Sequence, residues 1–233
     1  MAHFPTTRWT LIQQAVADDA SPAARQALES LCQQYAAPVL GFLQHRMTGR
    51  EQAEDIAQGF FAQLIERNLF DRVDKERGRF RTFLLHALRG YMADVHDYNT
   101  AQKRGGGQSV VSLQAVDLLE PQHELTPECQ FELQWVRTLL SHALQRLESE
   151  CEATDKAALF QALRGFLDAG QAPPVNEVAE ELKMSQSAVR VAVHRLRKQL
   201  GRIIRDEIAE TVQSPSEVDD ELSRLMQILE NQR

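Results

Sequence analysis

Gln186, Arg190, His194 and Lys198 follow one another at steps of four residues, with Ser187 and Arg197 next to the two ends, a spacing that gathers side chains on one face of a helix. Glutamine and arginine near the start of such a helix can make paired hydrogen bonds to adenine or guanine edges, and the later arginine and lysine can neutralise phosphates. The face therefore suits the major groove of DNA. A second basic group, Arg67, Arg72, Lys75, Arg77 and Arg79, rings the stretch 68–79. Bond-making chemistry has no comparable support. The chain carries no Gly-rich phosphate loop before a strand, no HExxH and no nucleophile motif. Paired carboxylates such as Asp219-Asp220 and Glu180-Glu181 occupy adjacent, diverging helix positions and make poor acid–base pairs. Cys32, Cys129 and Cys151 lack a CxxC or histidine partner pattern and read as ordinary buried thiols, not as disulfides or a zinc site. No cofactor and no metal is expected, and the chain is not read as an enzyme.

The elements that must position the first group are helical. Asn176 to Leu182 is a short amphipathic helix, Lys183-Met184-Ser185 a tight turn, and Gln186 to Gly201 a second helix capped by Ser185. Val178, Ala179 and Leu182 are expected to pack on Val189, Val193 and Leu196, holding the polar face outward. The plain alternative is an αα-hairpin with a solvated basic face. Upstream, Phe131, Trp135, Val136, Leu139, Ala143, Leu144 and Leu147 form one helical face, and a further helix covers 155–167. In the first half, short helical periods start at Trp9 and after Ser21-Pro22, the latter expected to kink or restart at Pro38. A third helix buries Ala53, Ile56, Ala57, Phe60, Phe61, Leu64 and Ile65, with Glu51, Glu54 and Asp55 in its first turn, where the helix dipole favours anions. A fourth carries the stripe Phe80, Phe83, Leu84, Ala87, Leu88, Tyr91, Met92, Val95 and Tyr98, which makes Phe83 and Tyr91 core residues.

No alternating β-branched run interrupts these periods, so the fold class is all-α: two small helical domains joined by a flexible linker, the second containing a helix-turn-helix. Gly105-Gly106-Gly107 and the following Pro-containing stretch mark that linker. The expected division is 1–104, linker 105–126, 127–205, and an acidic helical extension 206–233. In the extension Val218, Leu222, Leu225, Met226 and Leu229 share one face and Asp219, Asp220 and Glu221 the other. It either masks a basic DNA-reading surface or serves as a packing or dimerising helix.

With 233 residues and 43% hydrophobic residues the chain can build such cores, and its apolar stretches are far short of the ~20 residues a membrane span needs. No secretory signal is evident, so a cytoplasmic location and no membrane association are expected. A formal charge of -7 argues against nucleic acid at face value. By segment it does not: 67–104 and 176–205 each net +4, while 1–66, 105–160 and 206–233 net -3, -6 and -6. Both positive blocks coincide with the basic groups above.

The stretch VNEVAEELKMSQSAVRVAVHRLRKQL, 175–200, resembles the promoter-reading region 4 of extracytoplasmic-function (ECF) sigma factors of bacterial RNA polymerase. EQAEDIAQGFFAQLIE, 51–66, resembles the region 2 helix that grips the polymerase clamp, and 79–104 the promoter-melting helix that follows it. The resemblance covers roughly 8–205 in the right order. It implies a sigma factor that directs transcription initiation, with the core polymerase and promoter DNA as partners, and a regulatory partner that is either an anti-sigma factor or a Ser/Thr kinase. It implies core-polymerase contacts at Glu51, Glu54, Asp55 and Gln58, and a groove for the melted -10 strand lined by Arg72, Lys75, Arg77, Arg79, Arg81, Arg89, Lys103 and Arg104. Reading of the -35 duplex falls to Gln186, Ser187, Arg190, His194, Arg197 and Lys198. Two departures stand out: Gly59 replaces the acidic residue many relatives carry, and Ala57 removes the hydroxyl some relatives expose to kinases. A stand-alone helix-turn-helix regulator, or a polymerase-binding regulator unable to open promoters, is the alternative.

Overall fold

Ser21 and Pro22 begin the first helix as their chemistry dictates. In the computed structural model, which describes residues 21–47, 49–72, 80–104, 126–167, 172–212 and 214–230, the Ser21 side chain accepts a hydrogen bond from the Ala24 amide at 3.0 Å, and Pro22 fills the first turn. Helix α1 spans Pro22–Arg46. The expected restart at Pro38 does not occur: its ring is buried and the helix continues through it, forgoing one backbone bond. Helix α2, Arg50–Glu66, buries Ala53, Ala57, Phe60 and Leu64. Ile65, expected on that face, is 41% exposed, since one residue beyond Leu64 is a turn of about 100°. Asn68 ends the helix in the left-handed region at φ 47°, donating its amide to the Ile65 carbonyl.

Helix α3, Phe80–Arg104, buries Phe80, Leu84, Leu88 and Met92, one residue per turn. Tyr98, expected at the end of this stripe, is 65% exposed because the buried run stops at Met92. Phe80 meets Tyr35 edge-on at 5.0 Å between centroids, and Tyr91 faces Phe60 at 5.8 Å. Phe83 and Tyr91 are half-buried, lining the core's edge. Tyr91 also explains Gly59: a β-carbon there would lie 2.2 Å from the Tyr91 Oη but 3.4 Å from Cζ. Gly59→Ala is therefore expected to destabilise the protein, by about 1–3 kcal/mol of overpacking. In a Tyr91→Phe background the same change should stabilise it by up to about 1 kcal/mol, from helix propensity. A double-mutant cycle by urea denaturation measures the coupling; equal effects in both backgrounds would contradict the contact.

Helix α4 spans Pro127–Glu152, and its first amides are satisfied in part by Thr126, whose Oγ1 accepts from the Cys129 amide at 3.2 Å. Helices α5, Ala157–Leu163, and α6, Val175–Glu181, are short; α7, Gln186–Ala209, is long, and α8, Val218–Glu230, ends the described chain. Among the described residues there is no strand, in keeping with the all-α expectation. Two compact units result. Described residues up to Thr138 join those from Ala209 onward in the first, and Leu139–Ile208 form the second. The boundary between these units falls inside α4, because Phe131, Trp135 and Val136 are buried in the first unit while Ala143, Leu147 and Cys151 enter the core of the second. The expected linker up to 125, the loop 73–79 and the helix at Trp9 lie outside the described residues. Cys129, expected to be buried, is exposed; Cys151 is buried, and desolvation pushes the thiol of half-buried Cys32 up to about 11.

The second unit packs Phe160, Leu163 and Phe166 with Val178, Ala179, Val189, Val193 and Leu196. Between α6 and α7 the backbone turns at Lys183, φ 53°, and the Met184 amide donates back to the Ala179 carbonyl at 2.9 Å. Ser185 then caps α7, accepting from the Ala188 amide at 3.2 Å.

Candidate nucleic-acid interface

The turn at Lys183 and the cap at Ser185 set the start of α7, and the burial of Val189, Val193 and Leu196 sets its rotation. The opposite side is then forced outward. Gln186, Ser187, Arg190, His194, Arg197 and Lys198 are all exposed, so the second unit brings the expected six together on one helix. Arg197 differs from the rest: its Nη2 and Nε donate to the Phe166 carbonyl oxygen at 2.8 and 3.3 Å, anchoring α7 to the end of the 3-10 turn Arg164–Phe166 that follows α5. Two residues of this surface were not anticipated. Val191, 49% exposed, and Arg195, exposed one turn later, flank His194 and Lys198. The signal for Arg195 lay in its i, i+4 spacing from Val191 and its adjacency to His194.

The far half of α7 is fixed by charge. The Glu150 carboxylate on α4 accepts from Gln199 Nε2 at 2.8 Å and from Arg202 Nη2 at 2.9 Å. Arg146 pairs with Glu150, Asp206 and Glu207 at 3.4, 3.5 and 3.3 Å. Desolvation alone would raise the Glu150 pKa, but the hydrogen bond from Gln199 and the charges of Arg202 and Arg146 outweigh it and hold the carboxyl below its ordinary 4.5. A carboxylate with a lowered folded value stabilises above its unfolded value, and that stability is lost as pH falls through the folded one. The stability of the second unit, read by denaturation across the carboxylate range, should therefore fall on acidification, and Glu150→Gln should flatten that dependence. A variant with an unaltered acid limb would show that the network does not act on Glu150.

In the first unit, Glu51, Asp55 and Gln58 are exposed on one face of α2, and Glu54 beside them accepts from Arg50 at 2.7 Å. Exposed Ile65 continues this face, seven residues beyond Gln58. The eight basic residues expected to hold a strand fare differently. Lys75, Arg77 and Arg79 lie outside the described residues, as do the side chains of Arg72, Lys103 and Arg104. Arg89 is accessible on α3, its side chain 47% exposed, and it forms an ion pair with Glu128.

Arg81 requires a correction: it is 2% exposed and cannot reach a strand in this conformation. Its guanidinium lies 4.4 Å from the Trp135 ring centroid, its Nε is 3.2 Å from Glu132 Oε2, and its Nη2 pairs with Glu221 of α8. A buried guanidinium demands carboxylates, and these two supply them. Glu221 itself was expected on the solvent face of α8, yet it is fully buried, and Met226, expected inside, is 53% exposed. The helix is rotated toward Val218, Glu221 and Leu225, which share one face at i, i+3 and i+7.

Among the described residues no group of three or more His, Cys, Asp or Glu could hold a metal ion, and no helix is long and apolar enough to cross a membrane. A family model described as ECF sigma factor matches residues 7–206. No curated protein and no solved structure matches the chain.

Proposed function

Because the chain belongs to the ECF sigma factor family, we propose that it directs bacterial RNA polymerase to a specific set of promoters and helps open them. The observation that supports the reading is the α6–turn–α7 unit, whose buried valines leave Gln186, Ser187, Arg190, His194 and Lys198 exposed, as a base-reading helix requires. In this reading α7 enters the major groove of the -35 duplex, Arg190 contacts base edges, and Lys198 and Arg195 contact phosphates. Arg197 contributes by fixing the helix, since its Nε and Nη2 donate to the Phe166 carbonyl. The acidic face of α2, Glu51, Glu54, Asp55 and Gln58, docks on basic residues of the core polymerase. Ile65 adds an apolar contact at its end. Gly59 bears on the packing of α2 against Tyr91, so its lack of an acidic side chain removes one docking charge while serving the fold. Ala57 is buried and has no hydroxyl, so no phosphate switch operates at that position. The chain would act in the cytoplasm with the polymerase, and the loop 73–79 with α3 would hold the melted -10 strand.

Arg190→Ala and Lys198→Ala separate base reading from phosphate binding. Arg190→Ala is expected to relax preference at individual -35 positions, by about 1–3 kcal/mol at the base it contacts. Lys198→Ala should weaken all sequences alike and lower the salt slope by about one. Binding to a panel of single-base promoter variants at several salt concentrations checks both, and equal, sequence-blind losses would remove Arg190 from the reading role.

A further inference from the structure

Helix α8 lies beyond the residues that the family model matches, 7–206, yet it is not an appendage. Val218 and Leu225 are buried, Thr211 and Val212 just ahead of them are buried too, and Glu221 is fully enclosed. What it encloses is Arg81, in the first turn of α3, immediately after the basic loop. Three carboxylates from segments C-terminal to the expected linker thus engage arginines of α3: Glu221 and Glu132 hold Arg81, and Glu128 holds Arg89. Arg224 of α8 completes the cluster by pairing with Glu132 at 3.1 Å.

We infer that α8 is an autoinhibitory clasp, in which the Glu221 carboxylate occupies the Arg81 guanidinium that a phosphate of the melted strand takes when α8 releases. The inference rests on the promoter-opening reading above. A carboxylate and a phosphate oxygen present the same acceptor chemistry to a guanidinium, and arginine binds either. The closed state is also poised to open. Burying two charges costs desolvation that their mutual attraction only partly offsets, and among the described residues the Arg81 Nη1 finds no hydrogen-bond partner. Release returns Glu221 to water and exposes Arg81. A strand then supplies what Arg81 lacks.

Hydrogen exchange on the unaltered protein tests this. Alone, the amides of α8 should be protected; with core polymerase and an open promoter they should lose protection, while those of α1 keep it. A second arm uses the free protein and a single-stranded oligonucleotide. Glu221→Gln, which keeps the shape and removes the charge, should tighten binding several-fold and raise the salt slope by about 0.7, one phosphate contact on a single strand. Adding Arg81→Ala should cancel both gains. Retained α8 protection in the open promoter complex, or a Glu221→Gln protein that binds the strand no better than the parent, would overturn the clasp. If core polymerase never engages the protein, the function proposed above fails, and the oligonucleotide arm alone then decides the clasp.

Discussion

Glu221→Ala is expected to weaken the closed first unit by about 3 kcal/mol, because removing one partner of a buried ion pair strands the other. Arg81, 2% exposed, would keep only Glu132, which it already shares with Arg224. Since α8 can leave before the rest of the unit unfolds, the loss should register first as faster amide exchange in α8 and in the first turn of α3, and only partly as a lower global midpoint. The paired change Arg81→Met with Glu221→Leu removes both charges at similar volume and should recover most of the stability. If the single and the paired variants were equally unstable, packing and not charge would hold α8 in place.

Trp135→Ala should cost more globally, about 3–5 kcal/mol, as a large side chain is deleted from a core that cannot collapse around the gap. Trp135 is 1% exposed, and its ring supports the Arg81 guanidinium at 4.4 Å. The substitution therefore removes apolar contacts and a cation–π contact together. Trp135→Phe keeps an aromatic face and should retain most of the stability. The two variants differ in a further respect: with alanine the buried guanidinium loses the face it stacks on, so α8 protection should fall along with the midpoint. A Trp135→Ala protein whose urea midpoint matched the parent would contradict the placement of α4's first half in the first unit.

Periodicity made much of this legible. The stripes on α2 and α3 are governed by local repetition, so Ala53, Ala57, Phe60, Leu64, Leu84 and Leu88 are buried as their spacing requires. The same holds for Val189, Val193 and Leu196, and the polar face of α7 follows from them. What escaped depends on partners distant in the chain. Nothing local distinguishes Arg81 from its basic neighbours; its burial comes from Glu132 and Glu221, which the fold alone brings to it. Glu221 reads as solvent-facing beside Asp219 and Asp220 until its spacing from Val218 and Leu225 is given equal weight. The division within α4 was equally hidden, because one continuous apolar face serves two cores in succession. Gly59 read as a lost docking charge, and its steric reason required knowing that the Tyr91 hydroxyl lies where a β-carbon would go.

Reconstituted transcription decides whether this chain confers promoter-dependent initiation on RNA polymerase. Purified bacterial core polymerase is combined with the protein and a library of promoter fragments, and transcript start sites are read. Transcripts are expected from a defined subset of promoters only when the protein is present, with that subset changed by Arg190→Ala. Promoter binding by the protein without core, together with no stimulation of initiation when core is added, would contradict it and identify a stand-alone regulator instead.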